Sequence, residues 1–258
     1  MAKLGGLMRF EYMVKLTVVF ASLLSLMEVD LLASSSDSGL KLEIKAEKEN
    51  LILGEPLLLE ANIVNLSEKS IKFKMGGPPE IFVSKDGSFF LQYRSTSVTP
   101  IYRPTLATLN PGESKNLGKS KVFYYEFEPP GRIIFDSPGE YFVKAKYYIT
   151  LEDTKTYITL ESRTICIKIA NPEGMDKKVW GLIHNIEFAK FLQHSYAEPA
   201  KEKEVIKTLK EIIEAYPAST YVPYIKEALI MHYRKKGQNR SPEEIDYLRT
   251  LEKDFHKR

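Results

Sequence analysis

The hydrophobic period of this chain changes once, and that change governs what the chain can fold into. Over 40–170 apolar and polar residues alternate in twos; beyond Asn171-Pro172-Glu173-Gly174 they recur at helical spacing. A period of two suits a strand with one dry face, and a period near 3.6 suits a helix with one dry stripe. Segregation of the two patterns favours sheets followed by helices over an interleaved α/β fold.

In the first pattern, Leu40, Leu42, Ile44 and Ala46 alternate with Lys41, Glu43, Lys45 and Glu47. A turn at Gly54-Glu55-Pro56 leads to Leu57, Leu59, Ala61 and Ile63 on one face. A hairpin is expected over 80–94, turning at Lys85-Asp86-Gly87, because Asp-Gly tolerates the positive φ of such turns. An aromatic strand is expected over 120–127, and a long strand carries Tyr141, Val143, Ala145, Tyr147 and Ile149 inward. Gly76-Gly77-Pro78-Pro79 and Pro129-Pro130-Gly131 read as turns. Over 157–170 the inward parity switches from even to odd, which predicts a bulge over 161–164. Eight or nine strands in this length point to an antiparallel β-sandwich. Asp136, Gly139 and Tyr141 resemble the tyrosine corner of immunoglobulin-like domains. Val143 stands where an antibody domain has its second cysteine, so the resemblance is to the immunoglobulin-like or fibronectin-like class only.

In the second pattern, Val179, Leu182, Ile183, Ile186, Ala189 and Leu192 form one stripe. Three more follow, through Val205–Tyr216, Ile225–His232 and Ile245–Phe255, for a bundle of about four helices. Ser219 is expected to cap the third, and Ser241-Pro242-Glu243-Glu244 is a capping box for the fourth. Tyr216-Pro217-Ala218-Ser219 together with Ala228, Leu229 and Tyr233 is similar to the helix-turn-helix of tetratricopeptide-like repeats. The match covers about one repeat of the usual 34 residues. It implies protein binding without naming a ligand.

The leader has a logic of its own. Lys3, Arg9 and Lys15 precede an apolar run over 16–27, which is shorter than the ~20 residues that span a bilayer. Small residues follow, with cleavage expected near Ala33 to Ser36, and Met13 offers a second start. The expected organisation is a signal peptide at 1–33, the immunoglobulin-like sandwich at 34–170 and the helical, tetratricopeptide-like part at 171–258. The expected destination is secreted, periplasmic or cell-envelope, with the membrane met only through the transient leader. Cys166, the one cysteine, lies in a β-branched run and is expected to fill a strand as a small hydrophobe.

Chemistry is sparse. The three parts carry 3 basic and 3 acidic, 18 and 17, and 16 and 14 residues, so the net +3 hides no basic domain that would suit nucleic acid. His184, His194, His232 and His256 lack metal-sharing helical spacing, and no phosphate loop, nucleophile elbow or zinc-protease motif occurs. No catalytic residue, metal or cofactor is assigned. Asn65-Leu66-Ser67 fits the glycosylation acceptor pattern. Tyrosine and arginine favour binding hot spots, so Tyr93, Tyr102 and Arg103 around the 94–105 loop, with Tyr224 on the helical part, are the candidate binding residues. The expected function is an exported, non-enzymatic protein-binding or assembly module with a protein partner. The alternatives are a glycan or peptide hydrolase with carboxylates not yet picked out, and a protease inhibitor using the sandwich loops.

Overall fold

The computed structural model describes residues 38–94, 103–126 and 132–255. The expected leader, Tyr102 and the Pro-Pro-Gly turn lie outside the described residues. The chain is a sheet-rich part followed by five helices.

Thirteen strand segments are described: β1 (Leu40–Ala46), β2 (Asn50–Ile52), β3 (Leu57–Asn65), β4 (Ile71–Met75), β5 (Glu80–Ser84), β6 (Leu91–Tyr93), β7 (Thr105–Leu109), β8 (Ser114–Val122), β9 (Tyr125–Glu126), β10 (Arg132–Ile133), β11 (Gly139–Leu151), β12 (Tyr157–Glu161) and β13 (Ile165–Ala170). β1, β3 and β8 form an antiparallel three-stranded sheet. The larger sheet is organised by β11, whose thirteen residues pair with four strands. β13 and β12 lie end to end along one side of it, and β5 and β4 along the other. The Gly-Gly-Pro-Pro segment connects β4 to β5, where an amide-poor turn releases the chain between two stretches of the same ladder. Inward residues of both sheets, among them Leu42, Leu57, Ile63, Phe73, Tyr141 and Ile167, share one hydrophobic core.

The parity switch appears as the break between β12 and β13, where the Ser162 hydroxyl accepts the Ala145 N–H at 2.8 Å. Two expectations need correction. The aromatic strand over 120–127 is interrupted, because Phe123 and Tyr124 leave the ladder between β8 and β9 to pack toward the helices. Cys166 is exposed rather than packed: the alternation that turns Ile167 and Ile169 inward turns Cys166 outward. The Asn65 pattern has a structural explanation. Its side chain is buried, donates to the Lys69 and Leu109 carbonyls, and accepts from the Ser67 N–H and hydroxyl.

The helices are α1 (Gly174–Ile183), α2 (Ile186–His194), α3 (Glu202–Ala215), α4 (Val222–Lys236) and α5 (Pro242–Phe255). The expected first stripe is two helices. Asn185 breaks it by accepting the N–H groups of Glu187 and Phe188, a cap that starts α2 and leaves Leu182 and Ile186 exposed. Ser219 lies in the turn ahead of α4, where its hydroxyl donates to Asp176 of α1, which also takes the Thr220 N–H and hydroxyl. The capping box of α5 is reciprocal: Glu244 N–H to Ser241 Oγ at 3.3 Å, and Ser241 N–H to Glu244 Oε2 at 2.9 Å. α4 is the central helix, its Ile225, Ala228, Leu229 and Tyr233 buried among its neighbours. His232 is buried with them, its Nδ1 3.1 Å from the Ser195 carbonyl.

Candidate functional site

The seam between sheets and helices gathers four tyrosines, Tyr93, Tyr124, Tyr221 and Tyr224. Gly54, at φ +86° in the turn between β2 and β3, lies flat against Trp180 of α1; a Cβ there would stand 2.2 Å from the indole. Trp180 meets Tyr124 edge-on at 5.2 Å and stacks near Tyr221 at 6.1 Å. Each seam tyrosine also has a polar anchor. The Tyr221 hydroxyl donates to the Leu53 carbonyl, and that of Tyr124 to the Ile183 carbonyl at 3.3 Å. Burial pushes all of these phenols above their usual range, so they stay neutral hydrogen-bonding groups.

The candidate residues fall in different places. Tyr93 is buried at the seam, its hydroxyl accepting from the Phe123 N–H at 3.2 Å and from Gln193 Nε2 at 3.0 Å. Tyr224 is half-buried, and its hydroxyl donates to Glu55 Oε1 at 3.0 Å. Arg103 is exposed just before β7. The structure therefore places Tyr93 and Tyr224 in polar anchors of the seam and Arg103 on an exposed stretch before β7; Tyr102 lies outside the described residues.

The two buried glutamates are likewise held. Glu55 receives Lys48 Nζ at 2.7 Å besides Tyr224. Glu126 pairs with Arg132 and accepts the Arg94 N–H at 3.0 Å. Among the described residues no group of three or more His, Cys, Asp or Glu side chains is placed to hold a metal ion. No described helix is long and apolar enough to cross a membrane.

The surface best suited to bind something lies on the hairpin between β5 and β6. The Asp86 carboxylate accepts the Ser88 and Phe89 N–H groups and the Ser84 hydroxyl, which fixes the turn. Those bonds, the Phe89 N–H foremost, hold the Asp86 carboxyl well below the usual carboxylate range. With the turn fixed, Phe89 stands 69% exposed, beside Leu91 at 43% and Ile133 of β10 at 56%. Together they rim a cleft of about 260 Å³ whose base includes Val83, Ile134 and Tyr141. β10 is held there because the Arg132 guanidinium donates to Glu126 and to the Gln92 carbonyl on β6. On the other rim Lys85 Nζ donates to Asp136 Oδ1 at 2.8 Å, and the Tyr141 hydroxyl lies 2.8 Å from the same oxygen and 2.9 Å from the Ser137 carbonyl. The Lys85 ammonium, then the Tyr141 hydroxyl, pull the Asp136 carboxyl down to about 2. An apolar mouth with fixed charges beside it suits contact with another surface better than proton transfer, since each acid already has its donors. Phe89 and Leu91 were legible in one respect: in Phe89-Phe90-Leu91, strand alternation cannot bury every side chain on one face, whereas Ile133 carried no such signal.

No protein-family model matches the chain, and no curated protein does. Solved structures with partial likeness include the Northeast Structural Genomics Consortium target SoR45, at 14% identity, TM-score 0.31, over 54% of this chain and 91% of that one. The sporulation control protein Spo0M from Bacillus subtilis aligns at 12% identity, TM-score 0.31, over 57% and 55%. The CARDB domain of the PF1109 protein from Pyrococcus furiosus aligns at 15% identity, TM-score 0.27, over 52% and 94%. None of these likenesses bears on function.

Proposed function

We propose that this chain is an exported, non-enzymatic protein-binding or assembly module, built on an immunoglobulin-like β-sandwich with a tetratricopeptide-like helical extension. The observation that carries the binding role is the apolar mouth formed by Phe89, Leu91 and Ile133 on a turn rigidified by Asp86. Exposed apolar groups clustered beside fixed charges are the composition of a partner-binding patch. Support for the sandwich reading comes from the core shared by the two sheets and from the Tyr141 hydroxyl, which bonds back to Asp136 and Ser137 as in a tyrosine corner. Export rests on the leader pattern.

Affinity capture from envelope and secreted fractions tests the reading, with the F89S/L91S/I133S triple variant run in parallel. The wild-type chain is expected to retain a specific protein that the triple variant loses, while Tyr224→Phe, which alters only the seam, keeps it. Equal retention by wild type and triple variant, or no retained protein, overturns the proposal. N-terminal sequencing of the exported protein tests the leader; an intact Met1 or Met13 overturns cleavage.

A further inference from the structure

A second cavity, of about 450 Å³, opens along the seam between the β4–β5 turn, β8 and the end of α2. Its volume is within the range of small-molecule sites, roughly 300–1,000 Å³, and sites of this kind favour junctions between structural parts. Its apolar lining is Pro78 and Pro79 from the turn, Ile81 from β5 and Phe123, and Tyr93, Ser120 and Gln193 add polar groups. Among the described residues the charged side chains on it are Lys119 and Lys121 of β8, and His194 also lines it. Among the described residues no carboxylate lines it, whereas the hairpin cleft sets Lys85 and Arg132 against Asp86 and Asp136.

The two ammonium groups are oriented by acids outside the cavity. Lys119 Nζ donates to Glu47 Oε1 at 2.7 Å, and Lys121 Nζ lies 2.7 Å from both oxygens of Glu227 on α4. An ammonium has three donors, so Lys119 keeps two and Lys121 one for an occupant. Lys121 also lies 5.7 Å from the centre of the Phe123 ring, which brings cation and apolar wall together. The Tyr93 hydroxyl accepts two N–H bonds, which leaves its own proton without an acceptor among the described residues. Burial and the nearby Lys235 lower the His194 pKa, so the ring is neutral at neutral pH and the positive character comes from the lysines.

We propose that this cavity binds a small organic anion, a carboxylate on an aromatic or aliphatic body, with Lys119 and Lys121 on the carboxylate and Phe123, Ile81 and Pro79 around the body. This site is distinct from the Phe89 mouth, and neither depends on the other. A free acid and the C-terminus of a peptide share this chemistry. Naphthoate and N-acetylphenylalanine therefore serve as probes, each against its uncharged amide.

The test is calorimetric titration of the full chain, with methyl NMR of Ile81 to locate the site. An acid is expected to bind saturably, at least about tenfold more tightly than its amide, and to shift Ile81. The better of the two acids identifies the source. The K119M/K121M variant is expected to erase the difference between acid and amide. Glu227→Gln removes the carboxylate that competes for Lys121, so it is expected to tighten acid binding. A merely structural Lys121–Glu227 pair would make both variants fail alike. Equal binding of acid and amide, shifts that bypass Ile81, or weakening by Glu227→Gln overturns the proposal.

Discussion

The seam and the β5–β6 hairpin both gather large side chains, yet they treat them in opposite ways. At the seam, Tyr93, Tyr124, Tyr221 and Tyr224 have hydroxyls bonded to backbone or to Glu55, and three of the four are buried. At the hairpin, Phe89, Leu91 and Ile133 have no polar atom to anchor and face solvent. A tyrosine with an internal partner gains from burial at both its ring and its hydroxyl, so it becomes a joint between layers. A phenylalanine held outward by a fixed turn gains nothing internally, so its apolar area is left for another surface.

The largest effect should come from the seam. Gly54→Ala places a Cβ against Trp180 at a φ that favours glycine, and is expected to cost ~3 kcal/mol, or roughly 6–12 °C in midpoint. Circular dichroism melting checks it; an unchanged midpoint would break the contrast with the hairpin. Tyr221→Phe leaves the Leu53 carbonyl without its donor and is expected to cost about 1–2 kcal/mol by denaturant titration.

Asp136 sets a smaller, pH-dependent effect at the hairpin. Its carboxyl is depressed from the ordinary 3.8 to about 2, so the stability it adds is present above the unfolded value and disappears as pH falls from about 4 to about 2. Asp136→Asn should flatten the wild-type decline in that window and lower stability at neutral pH by the same amount, which solvent screening of the largely exposed carboxylate keeps small. The smallest effect on stability is expected from F89S, L91S and I133S, each within about 0.5 kcal/mol. A larger loss would show that the hairpin is packed like the seam.

Much of the architecture was readable from period alone, because side-chain direction follows backbone geometry. β1, β3 and β11, and the stripes of α3 to α5, declare themselves that way. What escaped depends on contacts made far along the chain. Phe123 and Tyr124 continue the aromatic run of β8, and only the helices packed beyond them explain their departure from the ladder. Asn185 did carry a local signal, since an asparagine ahead of a helix is a cap, but the unbroken apolar stripe masked it. Cys166 could have been placed by parity, once Ile167 and Ile169 were taken as inward. The candidate binding residues were chosen by residue type, and type does not reveal whether a hydroxyl already has a partner. That is why Tyr93 and Tyr224 stood out in the sequence and Phe89 did not.

Trp180 is the only tryptophan in the chain, and it touches the cores of both the sheets and the helices. The molecule thus carries one indole, whose emission can be excited apart from that of the tyrosines, set at the contact between its two kinds of structure. A red shift of its emission would register the helices parting from the sheets, even while the circular dichroism of each remained unchanged. Mixed into a titration of either surface, that single indole would tell whether an occupant tightens the seam or pries it apart.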